Sequence, residues 1–190
     1  MISKKLLIAV IIILLFALVA FAFIKKTNIF KNDEAKPGVW NELNADPTSE
    51  GDLAPDKLYE NYDIDFGFLY PKNFEINEID EDVGFTVLAQ NPGKREGFQI
   101  FIIPFDEPGP ITSERVKKDL SDEKIENPQT ALIGPDKKIE ALIFFSEKEG
   151  IGKTREVWFV QNGYLFQVTT YADLDNFIAS VMGTWRTLKE

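Results

Sequence analysis

The chain has 190 residues, 44% of them hydrophobic, with 21 Lys/Arg against 31 Asp/Glu and a formal net charge of −10. It contains neither histidine nor cysteine, which excludes disulfides, thiolate nucleophiles, iron–sulfur clusters, Cys-type zinc sites and every Ser–His triad. The surplus of carboxylates repels phosphate backbones and weighs against nucleic acid as a partner.

Leu6 to Ile24 is an uncharged apolar run fenced by Lys4-Lys5 and Lys25-Lys26. As a helix it would rise about 28 Å, close to the ~30 Å hydrocarbon thickness of a bilayer, with its backbone groups satisfied internally. Residues 1–26 are therefore expected to be a transmembrane anchor. A cleaved signal peptide is the alternative, since Ala20-Phe21-Ala22 supplies an A-x-A site. The run continues past that site to the second lysine pair, which favours the anchor. The lysine count beyond the run leans toward a cytoplasmic domain, whereas the short basic leader resembles an export signal. The expectation is a single pass in the cytoplasmic membrane with the domain on the extracytoplasmic side.

Residues 27–57 mix Asn, Asp, Pro, Gly and Ser without sustained periodicity, the composition of a flexible linker. Trp40 is its one large aromatic outside the phenylalanines and reads as an incidental linker residue, with a docking contact as the alternative. Residues 58–190 suit one domain with its own core. Residues 1–57 hold 7 Lys/Arg and 7 Asp/Glu, so the whole net charge falls on the domain, with 14 and 24.

Within the domain, Tyr62, Ile64, Phe66, Phe68 and Tyr70 alternate as one face of a strand that Pro71 stops. "FEINEI" and "GFTVLAQ" read as the next two strands, parted by the acidic turn Asp80-Glu81-Asp82. "NPGKRE" reads as a turn and "GFQIFIIP", apolar on both faces, as a central strand. In "PGPITSERVKKDL", Thr112 or Ser113 is the N-cap of a short helix with Val116 and Leu120 four apart. "TALI" is a brief strand and "IEALIFFS" a stronger one.

Asn162-Gly163 between two β-rich runs signals a two-residue hairpin with positive φ at both central positions. The implied register opposes Phe159 to Phe166 and Val157 to Val168 on one face, and Val160 to Leu165 and Trp158 to Gln167 on the other. Both faces are largely apolar, so the hairpin should be covered on both sides. Asp173 and Asp175 are cap candidates for a C-terminal helix. Its stripe would comprise Leu174, Phe177, Ile178, Val181, Trp185 and Leu188, with Gly183 as a stop or bend signal. Many strands and two helices argue an α+β domain around a mostly antiparallel sheet.

The stretch "YENYDIDFGFLYPKNF" and the ending "SVMGTWRTL" resemble the opening and closing motifs of PsbP-like domains, the fold of the extrinsic PsbP subunit of photosystem II. The resemblance spans about residues 59–189. Trp185 stands where that family commonly has Phe, and Phe74 where it has Trp. It implies a mostly antiparallel sheet flanked by helices, an α/β/α sandwich, in an exported domain that works by binding. The matched positions are packing positions, so no functional residue carries over, and photosynthesis is not implied.

Chemistry is sparse. "GIGKT" (Gly150 to Thr154) ends like a phosphate-binding loop, but Glu147 stands where glycine is required and a strand follows. "DIDFG" and "DEDVG" begin like calcium loops and lack the later ligands. Asp80, Glu81 and Asp82 read as a solvated turn. Ser113 and Lys117, four apart, fit capping and solubility better than a nucleophile pair. No catalytic, cofactor or metal residue is assigned, and the chain is not expected to be an enzyme. Tyr62, Tyr70, Trp158, Tyr164 and Tyr171 suit either core edges or a contact surface. The expected role is non-catalytic interaction or assembly with another extracytoplasmic protein. A carrier for a small apolar ligand or lipid is the alternative, and a His-free hydrolase a lesser one.

Overall fold

The computed structural model describes residues 53–189. The expected anchor Leu6 to Ile24, Trp40 and most of the expected linker lie outside the described residues. Among those described, no helix is long and apolar enough to cross a membrane.

Two sheets form. β1 (Pro55–Asn61) and β2 (Phe66–Pro71) make an antiparallel hairpin. The expected domain boundary at residue 58 thus falls inside β1, and Leu53 already packs against the core. Tyr62 and Ile64, expected on the strand with Phe66, sit instead in the β1–β2 turn. Local hydrogen bonding explains the difference. Asn61 Oδ1 accepts from the backbone N–H of Asp63 (3.1 Å) and Ile64 (3.0 Å), and Asp65 takes a φ of 66°. An asparagine that bonds the backbone two and three residues on turns the chain where alternation alone predicts extension.

The second sheet has seven antiparallel strands: β3 (Glu75–Glu81), β4 (Gly84–Gln90), β5 (Gly97–Pro104), β6 (Glu126–Ile133), β7 (Ile139–Lys148), β8 (Gly152–Gln161) and β9 (Tyr164–Tyr171). Their spatial order is β3-β4-β5-β9-β8-β7-β6, so β5 is interior, as its double-faced apolarity requires. β3 keeps pairing through Asp80 and Glu81, which shortens the expected acidic turn. β6 is twice the length of the expected "TALI" strand and carries a register shift between Glu126 and Gln129. The β8–β9 hairpin has all four cross-strand pairs of the expected register, with φ of 53° at Asn162 and 77° at Gly163.

Helix α1 (Ser113–Asp119) lies between β5 and β6 and is capped by Thr112, whose Oγ1 accepts from Arg115 N–H at 3.2 Å. After a 3₁₀ turn (Ala172–Leu174), helix α2 (Asp175–Gly183) closes the domain. α2 ends at Gly183, so Trp185 and Leu188 are not part of its stripe. Thr184 Oγ1 donates to Val181 C=O (2.7 Å) and accepts from Leu69 N–H (2.8 Å), diverting the chain onto β2. There Arg186 exchanges two backbone hydrogen bonds with Gly67, at 2.9 and 3.0 Å. A Cβ at Gly67 would meet the β1 backbone at Tyr59 O (2.8 Å) and the tail's Leu188 Cδ2 (3.1 Å), so glycine is needed where β1, β2 and the tail crowd together. Asp173 and Asp175 do not cap α2: Leu174 is its N-cap and no side chain bonds there.

The main core lies on one face of the large sheet, under a layer made of the β1–β2 hairpin, α2 and the C-terminal tail. Trp185 is fully buried at its centre, stacked on Phe66 (5.0 Å, 11°) and edge-on to Phe159 (4.8 Å, 82°). Its indole N–H donates to Gln161 Oε1 at 2.7 Å, so burial of the ring leaves no orphan donor. The three layers agree with the expected sandwich except that a β-hairpin shares the first layer with the helix.

Candidate functional site

Side chains alternate across a strand, so the opposite face of the large sheet carries the other residue set. The strand registers place Thr86 and Leu88, Gln99 and Phe101, Leu165, Gln167, Thr169 and Tyr171, Thr154, Glu156 and Trp158, and Leu142, Phe144 and Ser146 on that face. It divides into three parts: a covered apolar patch, a buried polar cluster and an open cleft.

The covered part is a second, smaller core. Ile111, Val116, Leu120 and Ile125, in and around α1, pack on Leu142, Phe144, Trp158 and Leu165. Both faces of the β8–β9 hairpin are thereby covered.

Beside it, Glu156 is fully buried and ringed by donors. Its carboxylate accepts from Thr154 Oγ1 (2.8 Å), Ser146 Oγ (3.2 Å), Thr169 Oγ1 (2.7 Å) and Trp158 Nε1 (3.3 Å), and pairs with Lys148 Nζ at 3.1 Å. Burial pushes this carboxyl up, but Lys148 and the hydroxyls of Thr169 and Thr154 outweigh it, holding Glu156 below its ordinary value. Glu123, after α1, reaches the same cluster. Burial raises its carboxyl, Lys148 partly opposes that, and the Glu156 charge adds to it. Glu123 Oε2 is shielded from solvent without a hydrogen-bond partner. Chemically this is a buried charge network in which Ser146 and Glu156 are both buried and the Ser146 hydroxyl bonds Thr154 and Glu156.

The open part is a cleft of about 70 Å³ over β3, β4 and β5. Ile79, Thr86, Leu88, Gln99 and Tyr171 form its bed, and Lys94, Arg95 and Glu96 of the β4–β5 turn stand at its border. The turn is strapped down. Arg95 Cζ sits 4.1 Å from the centroid of the Tyr171 ring, and Arg95 Nη2 donates to Ile151 C=O at 3.4 Å. Asn91 Nδ2 donates to Glu96 at 2.6 Å, and Lys94 Nζ lies 3.7 Å from the same carboxylate oxygen. Thr86 Oγ1 donates to Glu81, closing the edge toward β3.

The residues singled out in the sequence scatter. Tyr171 lines the cleft. Trp158 belongs to the second core, Tyr70 and Tyr164 border the first, and Tyr62 is exposed in its turn. Gly150 to Thr154 form the β7–β8 turn and the start of β8, and Thr154 is spent on Glu156. Asp65 of "DIDFG" holds the tail: its Oδ1 accepts from the N–H of Leu188 (2.9 Å) and Lys189 (2.7 Å). Asp175 pairs at 2.8 Å with the buried Arg155. Ser113 and Lys117 lie on α1 and are neither among the cleft's lining residues nor among the partners of Glu156. Among the described residues no group of three or more carboxylates is placed to hold a metal ion.

Lys94, Arg95, Leu88 and Glu156 were read only as turn or strand residues. The legible signal for Glu156 was a carboxylate set directly before the apolar run "VWFV". For the cleft it was a pair of cations in the turn between two strands that mix Thr and Gln with Leu on one face.

No family model and no curated protein matches the chain. Among solved structures it is similar to cyanobacterial PsbP (CyanoP) from Synechocystis sp. PCC 6803, solved in solution, with 14% identity over 73% of this chain and 95% of that one and a TM-score of 0.49.

Proposed function

We propose that the chain is a membrane-tethered, non-catalytic interaction domain that engages another extracytoplasmic protein through the open part of its second sheet face. The cleft carries this reading. At about 70 Å³ it is smaller than the roughly 150 Å³ that admits a benzene ring and well below the ~300–1,000 Å³ of small-molecule sites. Such a volume suits one side chain of a partner better than a whole carried ligand, which favours interaction over the carrier alternative. The buried polar groups that would support hydrolysis, Glu123, Lys148, Ser146 and Glu156, do not line it. The tether is the apolar run Leu6 to Ile24, whose length matches a bilayer.

The test is a photo-crosslinking amino acid placed in intact cells at Gln90, on the cleft, or at Asn176, exposed on the opposite layer. A discrete adduct at Gln90 that Leu88→Ser removes and Asn176 never forms is the expected result. Equal or absent adducts at both positions would sink the reading. Protease digestion of spheroplasts checks the placement: loss of the domain with a membrane-retained fragment bearing Leu6 to Ile24 is expected, and protection until lysis would reverse the orientation.

A further inference from the structure

The chain enters the fold close to the cleft. Pro55 opens β1 opposite Pro71, whose C=O accepts from Phe74 N–H at 3.0 Å. The next residue, Glu75, opens β3 opposite Gln90, which lines the cleft. Tyr59 Oη donates to Glu78 at 2.7 Å and ties β1 to β3. The residues before β1 therefore arrive beside the edge strand β3, at the end where the β4–β5 turn borders the cleft. Trp40 stands 13 positions before Leu53, a separation of about 20 Å as a flexible coil and at most about 45 Å when extended. That is enough chain to round one edge strand.

The cleft also matches the residue. Trp40 is the one tryptophan or tyrosine in residues 27–52, and it joins a flat apolar ring to a single N–H donor. Ile79 and Leu88 offer the ring a surface, and Gln90 and Gln99 offer side-chain carbonyls to the N–H. The cleft is open, so a flat ring can lie across it without being enclosed. An indole is neutral and asks nothing of Lys94, Arg95 or Glu96, which already have partners. A site on the same chain meets such a segment at an effective concentration on the order of millimolar.

We propose that in the free protein the cleft is occupied by residues 38–43 of its own chain, with Trp40 laid on Ile79 and Leu88. Resting on the reading of the cleft as a partner site, this segment is a built-in competitor that the partner must displace.

The chain has no cysteine, so an engineered pair reports the contact without background. The full chain, one copy per phosphatidylcholine nanodisc, carries Asn41→Cys with either Gln90→Cys or Asn176→Cys, and disulfide formation is timed in oxidised glutathione. The Gln90 pair should close about tenfold faster than the Asn176 pair, and Trp40→Ala or Leu88→Ser should remove the difference. Trp40→Ala takes no atom from the described fold, so its effect is separable from unfolding. Equal rates for the two pairs, or a rate that ignores Trp40→Ala, would overturn the docking. Closure only in nanodiscs that hold two copies would overturn it too, by making the occupant a second chain. The intermolecular photo-adduct at Gln90 separates this inference from the reading beneath it, and Trp40→Ala should raise that adduct about threefold or more. Fast closure of the Gln90 pair with no adduct even in Trp40→Ala would sink the partner reading and leave the self-docking standing. An adduct that Trp40→Ala leaves unchanged would keep the partner reading and overturn the competition.

Discussion

The two faces of the seven-stranded sheet solve different problems with the same backbone. The first is sealed by the β1–β2 hairpin, α2 and the tail, and its centre is a cluster of Phe66, Phe68, Phe98, Phe159, Phe166 and Trp185 at full burial. The second is covered over part of its area by α1 and its flanks, buries a carboxylate among hydroxyls beside that cover, and leaves a cleft over β3–β5. Apolar burial is non-directional and accumulates with area, whereas a buried charge is tolerable only with every partner in place. The first face should therefore set stability, and the second should set the responses to pH and to partners.

The largest expected effect is on the first face. Trp185→Ala removes the ring that touches Phe66, Phe68, Phe159 and Phe166 and should cost about 3–5 kcal/mol in denaturant unfolding. A loss under about 1 kcal/mol would mean the tail docks on a core that stands without it, and the contrast between the faces would dissolve.

Next comes Glu156→Ala. It leaves the Lys148 ammonium and the donors of Thr154, Ser146, Thr169 and Trp158 without their shared acceptor. About 3 kcal/mol is expected, the usual cost of removing one partner of a buried pair. If the variant is as stable as the parent, the cluster is not a network that the second face depends on.

The pH response sharpens the contrast further. Glu123 has a folded-state pKa above its ordinary 4.5, first because of burial and despite Lys148. The native state therefore holds this proton more tightly than the unfolded state. Its contribution is fully present below pH 4.5 and is lost as pH rises through the folded value. Glu156 is shifted the other way, so its contribution is present above 4.5 and lost as pH falls through its lower folded value. Unfolding curves of Glu123→Gln should match the parent in acid and lie above it at neutral pH. Coincident curves across the range would show that burial does not raise the Glu123 carboxyl.

The smallest effect is on the cover of the second face. Thr112→Ala deletes the α1 cap and should cost about 0.5–1 kcal/mol. Hydrogen exchange should rise in residues 113–120 and leave α2 unchanged. Equal loosening of both helices would tie the two layers together and break the comparison.

Residues 66–71, 84–90, 97–104 and the β8–β9 hairpin were legible because their information is local. Alternation, a proline stop and Asn-Gly at a two-residue turn act within a few residues of each other. Phe159 opposite Phe166 follows from the turn alone. β1 was not legible, because "PDKLYEN" is half exposed and exists as a strand only through its pairing with β2. The end of α2 was missed for a similar reason: Trp185 continues a helical period, but the hydrogen bonds between Leu69 N–H and Thr184 Oγ1 and between Arg186 and Gly67 span more than 110 positions.

The candidate site divides along the same line. The sequence by itself determined what could not be there, since absent histidine and cysteine remove whole chemistries, and it placed Glu156 and the Lys94-Arg95 pair on or beside strands. Only the tertiary structure decided that Glu156 lies among five donors, that Asp175 pairs with Arg155 instead of capping a helix, and that Arg95 rests on Tyr171 beside Leu88. Those relations depend on which strand lies next to which. Within the strand order β5-β9-β8-β7, the β5–β9 pairing joins segments dozens of residues apart, and most of the apolar burial that favours it lies on the first face.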